Sequence, residues 1–476
     1  MRILGLVLVS VVVGCGHHHE GATDAGSGPA DACTDNLACF QYDCSLKNLP
    51  PTSVSGTVYA PNGTLPLYGV NVYVPESDPG PLTQGVSCDQ CAAGLPGGAF
   101  VQTTTDEAGH FELDNMPATT GVPLVIQVGK WRRQLALPAV AACQDSPVDV
   151  ADTTLPKSRT DLTPNSTGVD LPKIAISTGD ADALECLVLK LGIDPKEISS
   201  STGSGQINLF TDKSSPGVGA STFAAGWAGG TDPMTDSATL WGSTTNLSAY
   251  DILILSCEGD QYPATKPQAA LQAVHDYAGI GGRVFASHWH NIWIGGDDTN
   301  AMHGLPDWEA VATFNFGGNP PDDPLHATID ETDNPKGMSF ATWMVNVMGS
   351  AMRDDVLVSA PRDTCTSVDE TKGEQWVFLD TTGASGRHYA STMNFQFTTP
   401  QDADPSMRCG KVVFSDMHVS ADSTSTPGTP YPGGCSCELV GGAHDPLCTM
   451  PKPLTAQEKA LAFMFFDIAS CVGTIQ

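Results

Sequence analysis

The sequence predicts a two-module, disulfide-rich protein: an N-terminal all-β sandwich followed by a larger α/β unit with a doubly wound, mostly parallel sheet. Three observations carry this. Short apolar segments of period two, punctuated by Gly, Pro, Asn and Asp, fill residues 53–137. Beyond residue 173, continuous apolar runs alternate with segments of helical period, as expected of strands covered on both faces. The chain also holds 15 cysteines, the first directly behind a short apolar leader.

The leader opens with Met1-Arg2, continues with an apolar run over residues 3–13 and ends in Val12-Val13-Gly14-Cys15. A basic start, a short apolar core and a small residue before the cleavage point describe an export signal. The run is too short to cross a membrane, which takes about 20 apolar residues. The Val-Val-Gly-Cys ending resembles the bacterial lipobox, which implies residues 1–14 as signal peptide and Cys15 as the acylated N-terminus. The expected location is the cell envelope, lipid-anchored at the outer membrane or periplasmic face.

The remaining cysteines form an even set: Cys33, Cys39, Cys44, Cys88, Cys91, Cys143, Cys186, Cys257, Cys365, Cys409, Cys435, Cys437, Cys448 and Cys471. In an oxidising compartment this parity predicts that all are in disulfides. A zinc ribbon would need a second Cys-x-x-Cys to match Cys88 and Cys91, and Cys435-x-Cys437 is too tight. Glycine flanks the Cys88–Cys91 loop at Gly85 and Gly94, unlike a redox pair opening a helix.

A formal net charge of −31 repels nucleic acid and anionic lipid, so neither is an expected partner. Gly (49) and Pro (35) are abundant, yet 41% of the residues are hydrophobic, which favours loop-rich folded domains over disorder.

Residues 15–52 read as a tether and cysteine-rich neck. His17-His18-His19 opens a spacer that nothing preorganises for metal binding. Period-two strands follow at Ser55-Gly56-Thr57-Val58-Tyr59-Ala60-Pro61-Asn62-Gly63, a strand entering a turn, at Leu67-Tyr68-Gly69-Val70-Asn71-Val72-Tyr73-Val74 and at Leu124-Val125-Ile126-Gln127-Val128. Thr103-Thr104-Thr105-Asp106-Glu107-Ala108-Gly109-His110-Phe111-Glu112-Leu113 reads as a hairpin about an acidic-glycine turn. This order, from the Gly56-Thr57-Val58 opening through Pro66-Leu67-Tyr68-Gly69-Val70-Asn71-Val72 to Thr105-Asp106-Glu107-Ala108-Gly109-His110-Phe111, resembles the carboxypeptidase regulatory-like (transthyretin-like) domain. The resemblance covers residues 53–137 and implies a non-catalytic accessory module. Trp131-Arg132-Arg133 concentrates positive charge, expected to pair with the chain's own carboxylates.

Residues 138–172, rich in Pro, Asp, Ser and Thr, read as a linker, and residues 173–476 as the α/β domain. Its strands begin with Lys173-Ile174-Ala175-Ile176-Ser177, Ile207-Asn208-Leu209-Phe210, Asp251-Ile252-Leu253-Ile254-Leu255 and Arg283-Val284-Phe285-Ala286-Ser287. Asp182-Ala183-Leu184-Glu185 reads as a capping-box helix start, as does Thr455-Ala456-Gln457-Glu458 near the C-terminus. The third and fourth of these strands, the helix between them ending in Gly281-Gly282, and the late Gly410-Lys411-Val412-Val413-Phe414-Ser415-Asp416-Met417-His418 resemble the class I glutamine-amidotransferase-like fold, including its trehalose-utilisation-protein branch. In that family a nucleophilic cysteine follows the fourth strand. Here the place holds Ser287-His288-Trp289-His290, with bulky Phe285 and Trp289 where an elbow needs small residues. No catalytic residue and no cofactor is therefore assigned.

The carboxyl edge of such a sheet is where ligands bind. It gathers Glu258 and Asp260 after the third strand, His288 and His290 after the fourth, and Asp416 and His418 after the late one. Two imidazoles with carboxylates are candidate ligands for a divalent metal; the competing reading packs the histidines between Trp289 and Trp293 as hydrogen-bonded core. As a whole the chain resembles myxobacterial-type cysteine-rich lipoproteins. The expected function is a non-catalytic binding or structural envelope protein, held to the membrane by its lipid and engaging a glycan or envelope protein. The alternative is a metal-dependent hydrolase, carbohydrate- or peptide-directed, using His288, His290 and His418.

Overall fold

The computed structural model describes residues 37–299, 301–316, 320–419 and 423–473. The leader, Cys15, Cys33 and most of the tether lie outside these residues. The regular structure of the described chain is mostly β-strand, in several sheets, with few and mostly short helices. No described helix is long and apolar enough to cross a membrane.

The N-terminal strands are β1 (Ser53–Thr57), β2 (Asn71–Val74), β3 (Val101–Thr104), β4 (His110–Asp114), β5 (Val122–Val128), β6 (Trp131–Leu137) and β7 (Ser166–Asp170), with the short helix α1 (Val150–Thr153) before β7. They make two antiparallel sheets, β1–β4 and β3–β2–β5–β6–β7. Val54, Phe111 and Leu113 of the first share a core with Val72, Leu124 and Ile126 of the second.

Two sequence expectations fail here for tertiary reasons. The stretch from Thr103 to Leu113 is not a hairpin, because β3 pairs with β2 while β4 pairs with β1. The turn itself forms: the Asp106 carboxylate accepts the N–H groups of Ala108 and His110. It carries the chain between sheets instead of back along one. Residues 138–172 are likewise no free linker. They supply β7, which pairs with β6, and Cys143, which is bonded to Cys44. They also supply the carboxylates for the basic cluster: Arg132 pairs with Asp170 at 2.8 Å and Arg133 with Asp161 at 2.9 Å.

The larger sheet holds β8 (Ile174–Thr178), β9 (Ile198–Ser200), β10 (Ile207–Thr211), β11 (Thr235–Asp236), β12 (Ile252–Leu255) and β13 (Arg283–Ser287). β14 (Ala312–Phe314) stands apart, paired with β17; the sheet continues with β15 (Leu325–Ile329) and β16 (Asp355–Val358). After β17 (Cys365–Val368) come β18 (Glu374–Thr382), β19 (His388–Thr399) and β20 (Gly410–Ser415). The order is β11-β10-β8-β12-β13-β20-β19-β18-β15-β16, with β9 alongside β10. Pairing is parallel from β11 to β20 and antiparallel from β20 to β16.

The helices are α2 (Leu184–Lys190), α3 (Ser237–Trp241), α4 (Thr244–Leu247), α5 (Gln268–Gly279), α6 (Ile292–Gly295), α7 (Pro306–Glu309), α8 (Gly337–Asn346) and α9 (Ala456–Ala469). Alternation along β12 divides them. Ile252 and Ile254 join the core containing Leu187 of α2 and Leu461 and Phe465 of α9, while Leu253 and Leu255 join the one containing Trp241 of α3 and Leu271 and Val274 of α5. Helices on both faces explain why this strand is apolar throughout. At α9 the expected capping box forms, the Thr455 hydroxyl accepting from the Glu458 N–H and the Glu458 carboxylate from the Thr455 N–H. At α2 it does not: Ala183 is the N-cap, and the Asp182 carboxylate is diverted to Ser287 and Val419.

The sandwich and the large sheet are fused along α9. Trp131 packs its ring 5.5 Å from those of both Phe465 and Phe466, and one buried cluster runs through both modules. Five disulfides have both partners in the described chain: Cys44–Cys143, Cys88–Cys409, Cys91–Cys471, Cys186–Cys435 and Cys437–Cys448. Cys39 is oxidised as well. The Cys88–Cys91 loop of the sandwich thus staples two distant parts of the C-terminal module. Cys257 and Cys365, expected in disulfides, are instead buried free thiols. Parity cannot distinguish a fully paired set from one with two unpaired members, and burial on separate strand ends keeps these two from a partner sulfur.

Candidate functional site

The parallel register brings three strand ends to one place. β12 and β13 align Leu255 with Ala286, and β13 and β20 align Ser287 with Ser415. Cys257, His288 and His418 therefore emerge at the same carboxyl edge. One ligand atom from each lies within 4.8 Å of the other two, and all three residues are buried.

The thiol of Cys257 accepts the Gly259 N–H at 3.3 Å and lies 3.3 Å from Nδ1 of His288. Burial pushes this thiol up to about 12. The rings of His288 and His418 meet edge to face with centroids 5.2 Å apart. Their Nε2 atoms are both buried without a hydrogen-bond partner. Burial holds His288 well below the usual imidazole range and lowers His418 to about 3, so both rings are neutral and keep a lone pair. His288 also adopts φ +44°, in the left-handed region, at the bend from β13 into the helical turn over His288–Asn291.

The other candidate residues do not join this group. His290 faces elsewhere in the same turn: Nε2 bonds the Ser256 carbonyl and Nδ1 accepts from the Trp293 indole, each at 2.8 Å. Glu258 is in a buried ion pair with Lys266 at 2.6 Å and accepts from the Ser215 hydroxyl. Asp260 is exposed and accepts its neighbour's N–H from Gln261. Asp416 is turned inward, taking both the N–H and the hydroxyl of Thr364 and the N–H of Cys365. Ser287 is not at the bend either; its hydroxyl donates to Asp182 at 2.5 Å. Of the six metal candidates only His288 and His418 come together, and Cys257 completes the group. Disulfide parity concealed that third member.

A second feature lies at the seam between the modules. A cleft of about 560 Å³ is lined by Tyr68, Asn71 and Thr104 from the sandwich side and by Glu374, Gln396, Thr398, Lys411, Phe463 and Asp467 from the other. A neighbouring cleft of about 690 Å³, over β2, β3 and β5, shares Asn71 and Thr104 with it, and the Cys91–Cys471 disulfide borders both. The charges in the first are internally matched. Asp467 bonds Lys411 at 3.1 Å and also pairs with Lys336, and Glu374 accepts from the Gln396 amide. The Gln396 carbonyl oxygen is buried with no partner. Nothing in the linear order of β2, β19 and α9 announces this cleft, because it exists only where the modules meet.

No family model matches the chain, and no curated protein gives a significant match. Two solved structures are similar over part of it, both interface mutants of a type II cohesin–X-dockerin complex from Acetivibrio cellulolyticus. The N-terminal interface mutant is 18% identical, covering 30% of this chain and 85% of that one at a TM-score of 0.17. The C-terminal interface mutant is 16% identical, covering 33% and 79% at a TM-score of 0.16.

Proposed function

We propose that the chain is a non-catalytic binding protein of the cell envelope, anchored through Cys15, that takes a neutral, polar ligand of the glycan class in the cleft between its two modules. The observation that carries this reading is a cleft of about 560 Å³ between the modules whose wall includes Gln396, a residue with a buried, unpartnered side-chain carbonyl oxygen. A buried acceptor left without a donor costs free energy, roughly 1–3 kcal/mol, which a ligand hydroxyl would recover. Matched charges favour an uncharged ligand. The amide and hydroxyl groups of Asn71, Thr104 and Thr398, with Tyr68 and Phe463 alongside, supply the mixed polar and aromatic wall that a sugar ring needs. In this reading residues 53–137 act as a transthyretin-like accessory module. Residues 173–476 form an amidotransferase-like, doubly wound α/β domain extended by an antiparallel half, with ligand binding in place of the family's chemistry.

The test is binding of the purified chain to a panel of neutral and acidic envelope oligosaccharides. The expected result is retention of a neutral member, with affinity falling about tenfold in Gln396→Ala, the loss of one hydrogen bond in a desolvated site. A panel with no neutral ligand, or a Gln396→Ala variant that binds unchanged, would sink the reading. For the anchor, Cys15→Ser should move the protein from the membrane fraction to the soluble fraction. A variant that still requires detergent would remove the anchor from the proposal.

A further inference from the structure

We propose that Cys257, His288 and His418 hold one divalent metal ion of the zinc class at the carboxyl end of the parallel strands. This does not depend on the cleft reading and involves none of its residues.

The donor set is the first argument. One thiolate and two imidazoles suit a borderline-soft ion, and oxygen-seeking ions such as magnesium or calcium do not select them. Geometry is the second. A tetrahedral zinc ion, with bonds of about 2.3 Å to sulfur and about 2.0–2.1 Å to nitrogen, places its donors about 3.3–3.6 Å apart. Cys257 Sγ and His288 Nδ1 are already 3.3 Å apart. All three ligand atoms fall within 4.8 Å of one another, so small side-chain rotations close the remainder.

The third argument is a contrast within one turn. A buried histidine that serves only packing has both nitrogens satisfied, as His290 has through Ser256 and Trp293. Two residues away His288 leaves Nε2 buried and unpartnered, and His418 does the same against it. Two orphaned imidazole nitrogens beside a thiol would be a costly way to build a core. An ion held by His288 through Nδ1, beside the thiol, and by His418 through Nε2 gives the latter its missing partner. The left-handed backbone of His288 belongs to the same arrangement, since local strain of this kind is retained where surrounding structure demands a particular side-chain direction. Binding is a simple exchange: the S–H bond of Cys257 breaks, its proton leaves to solvent, and an S–metal bond forms. No oxidant or reductant is needed.

The experiment uses the full chain expressed in an oxidising compartment, so that the disulfides form. After chelator treatment, cobalt(II) is titrated as a spectroscopic stand-in for zinc. The expected result is a thiolate-to-cobalt charge-transfer band in the near ultraviolet, saturating at one equivalent and displaced by zinc. Cys257→Ser should abolish the band, and His288→Ala and His418→Ala should each weaken cobalt affinity roughly tenfold or more. Cys365→Ser, which removes the other buried thiol, should leave the band intact. A wild-type chain that shows no such band, or a band that persists in Cys257→Ser, overturns the proposal. Because the wild-type titration decides on its own, misfolding of a variant does not protect it.

Discussion

Gly129 lies so close to Ala469 that a Cβ built on it would fall 1.9 Å from the Ala469 carbonyl oxygen. This is where the turn between β5 and β6 touches the end of α9, beside Trp131 and its two phenylalanines. Gly129 also has φ +53°. Gly129→Ala should therefore cost about 2–4 kcal/mol, combining a left-handed residue with overpacking against backbone that cannot yield. Gly121→Ala is the control: it too has positive φ but meets nothing within 4 Å, so its cost should be nearer 1 kcal/mol. Denaturant unfolding of both variants measures the difference. Equal losses would mean that the two modules do not depend on this contact.

The buried thiols give a direct chemical count. Unfolding in denaturant without reductant, followed by alkylation and peptide mapping, should label Cys257 and Cys365. Cys44, Cys88, Cys91, Cys143, Cys186, Cys409, Cys435, Cys437, Cys448 and Cys471 should stay unlabelled. Before denaturation neither thiol should react, because both are buried and held in the unreactive protonated form. A Cys257–Cys365 crosslink in the map would contradict this arrangement.

Glu185 sits on α2 with burial raising its carboxyl to about 7 and one carboxylate oxygen unpartnered. Its folded value lies above the unfolded one near 4.3, so between these limits the folded state holds more protons. Its contribution therefore favours folding below about pH 4 and is lost progressively as pH rises through 7. Glu185→Gln should raise the melting temperature at pH 8 and leave it nearly unchanged at pH 4. The difference corresponds to a stabilisation on the order of 3 kcal/mol at the higher pH. Thermal scans at the two values check this, and a variant less stable than wild type at pH 8 would refute it.

Lys190 and Glu458 form an ion pair at 2.7 Å with side chains only 2% and 1% exposed, joining α2 to α9. Lys190→Met leaves the Glu458 carboxylate buried beside a thioether and should cost about 3–5 kcal/mol. Adding Glu458→Gln should recover part of that loss, since a neutral amide no longer needs a cation. A double variant as unstable as the single one would show that the pair contributes by shape alone.

Sequence patterns made legible whatever depends on neighbours along the chain. The run Ile252-Leu253-Ile254-Leu255 announced a strand covered on both faces, and Thr455 with Glu458 announced the start of α9. The acidic-glycine turn at Asp106 was visible too, but not its use, because the partner of β4 is β1, far earlier in the chain, with Thr57 opposite His110. Asp182 illustrates the same limit. Its spacing to Glu185 is that of a capping box, yet Ser287 and the Val419 N–H compete successfully for its carboxylate once the strands assemble. At the site, His288 and His418 stood out because both follow apolar strands. Cys257 did not, since an even cysteine count assigned it elsewhere and only the parallel pairing of β12 with β13 places it beside an imidazole.

The link from Cys91 to Cys471 joins residues 380 positions apart, and the aromatic surface that receives Trp131 belongs to the last helix of the described chain. Synthesis runs from the N-terminus, so the sandwich is made long before the helix that closes it. Until α9 arrives, the face bearing Trp131 remains an apolar surface open to the wrong partner, and Cys88 and Cys91 wait side by side as a pair able to oxidise with each other. The correct architecture is thus a race between a short local loop and two distant sulfurs. Neither cysteine of that loop can reach its proper partner until the segments bearing Cys409 and Cys471 have been made.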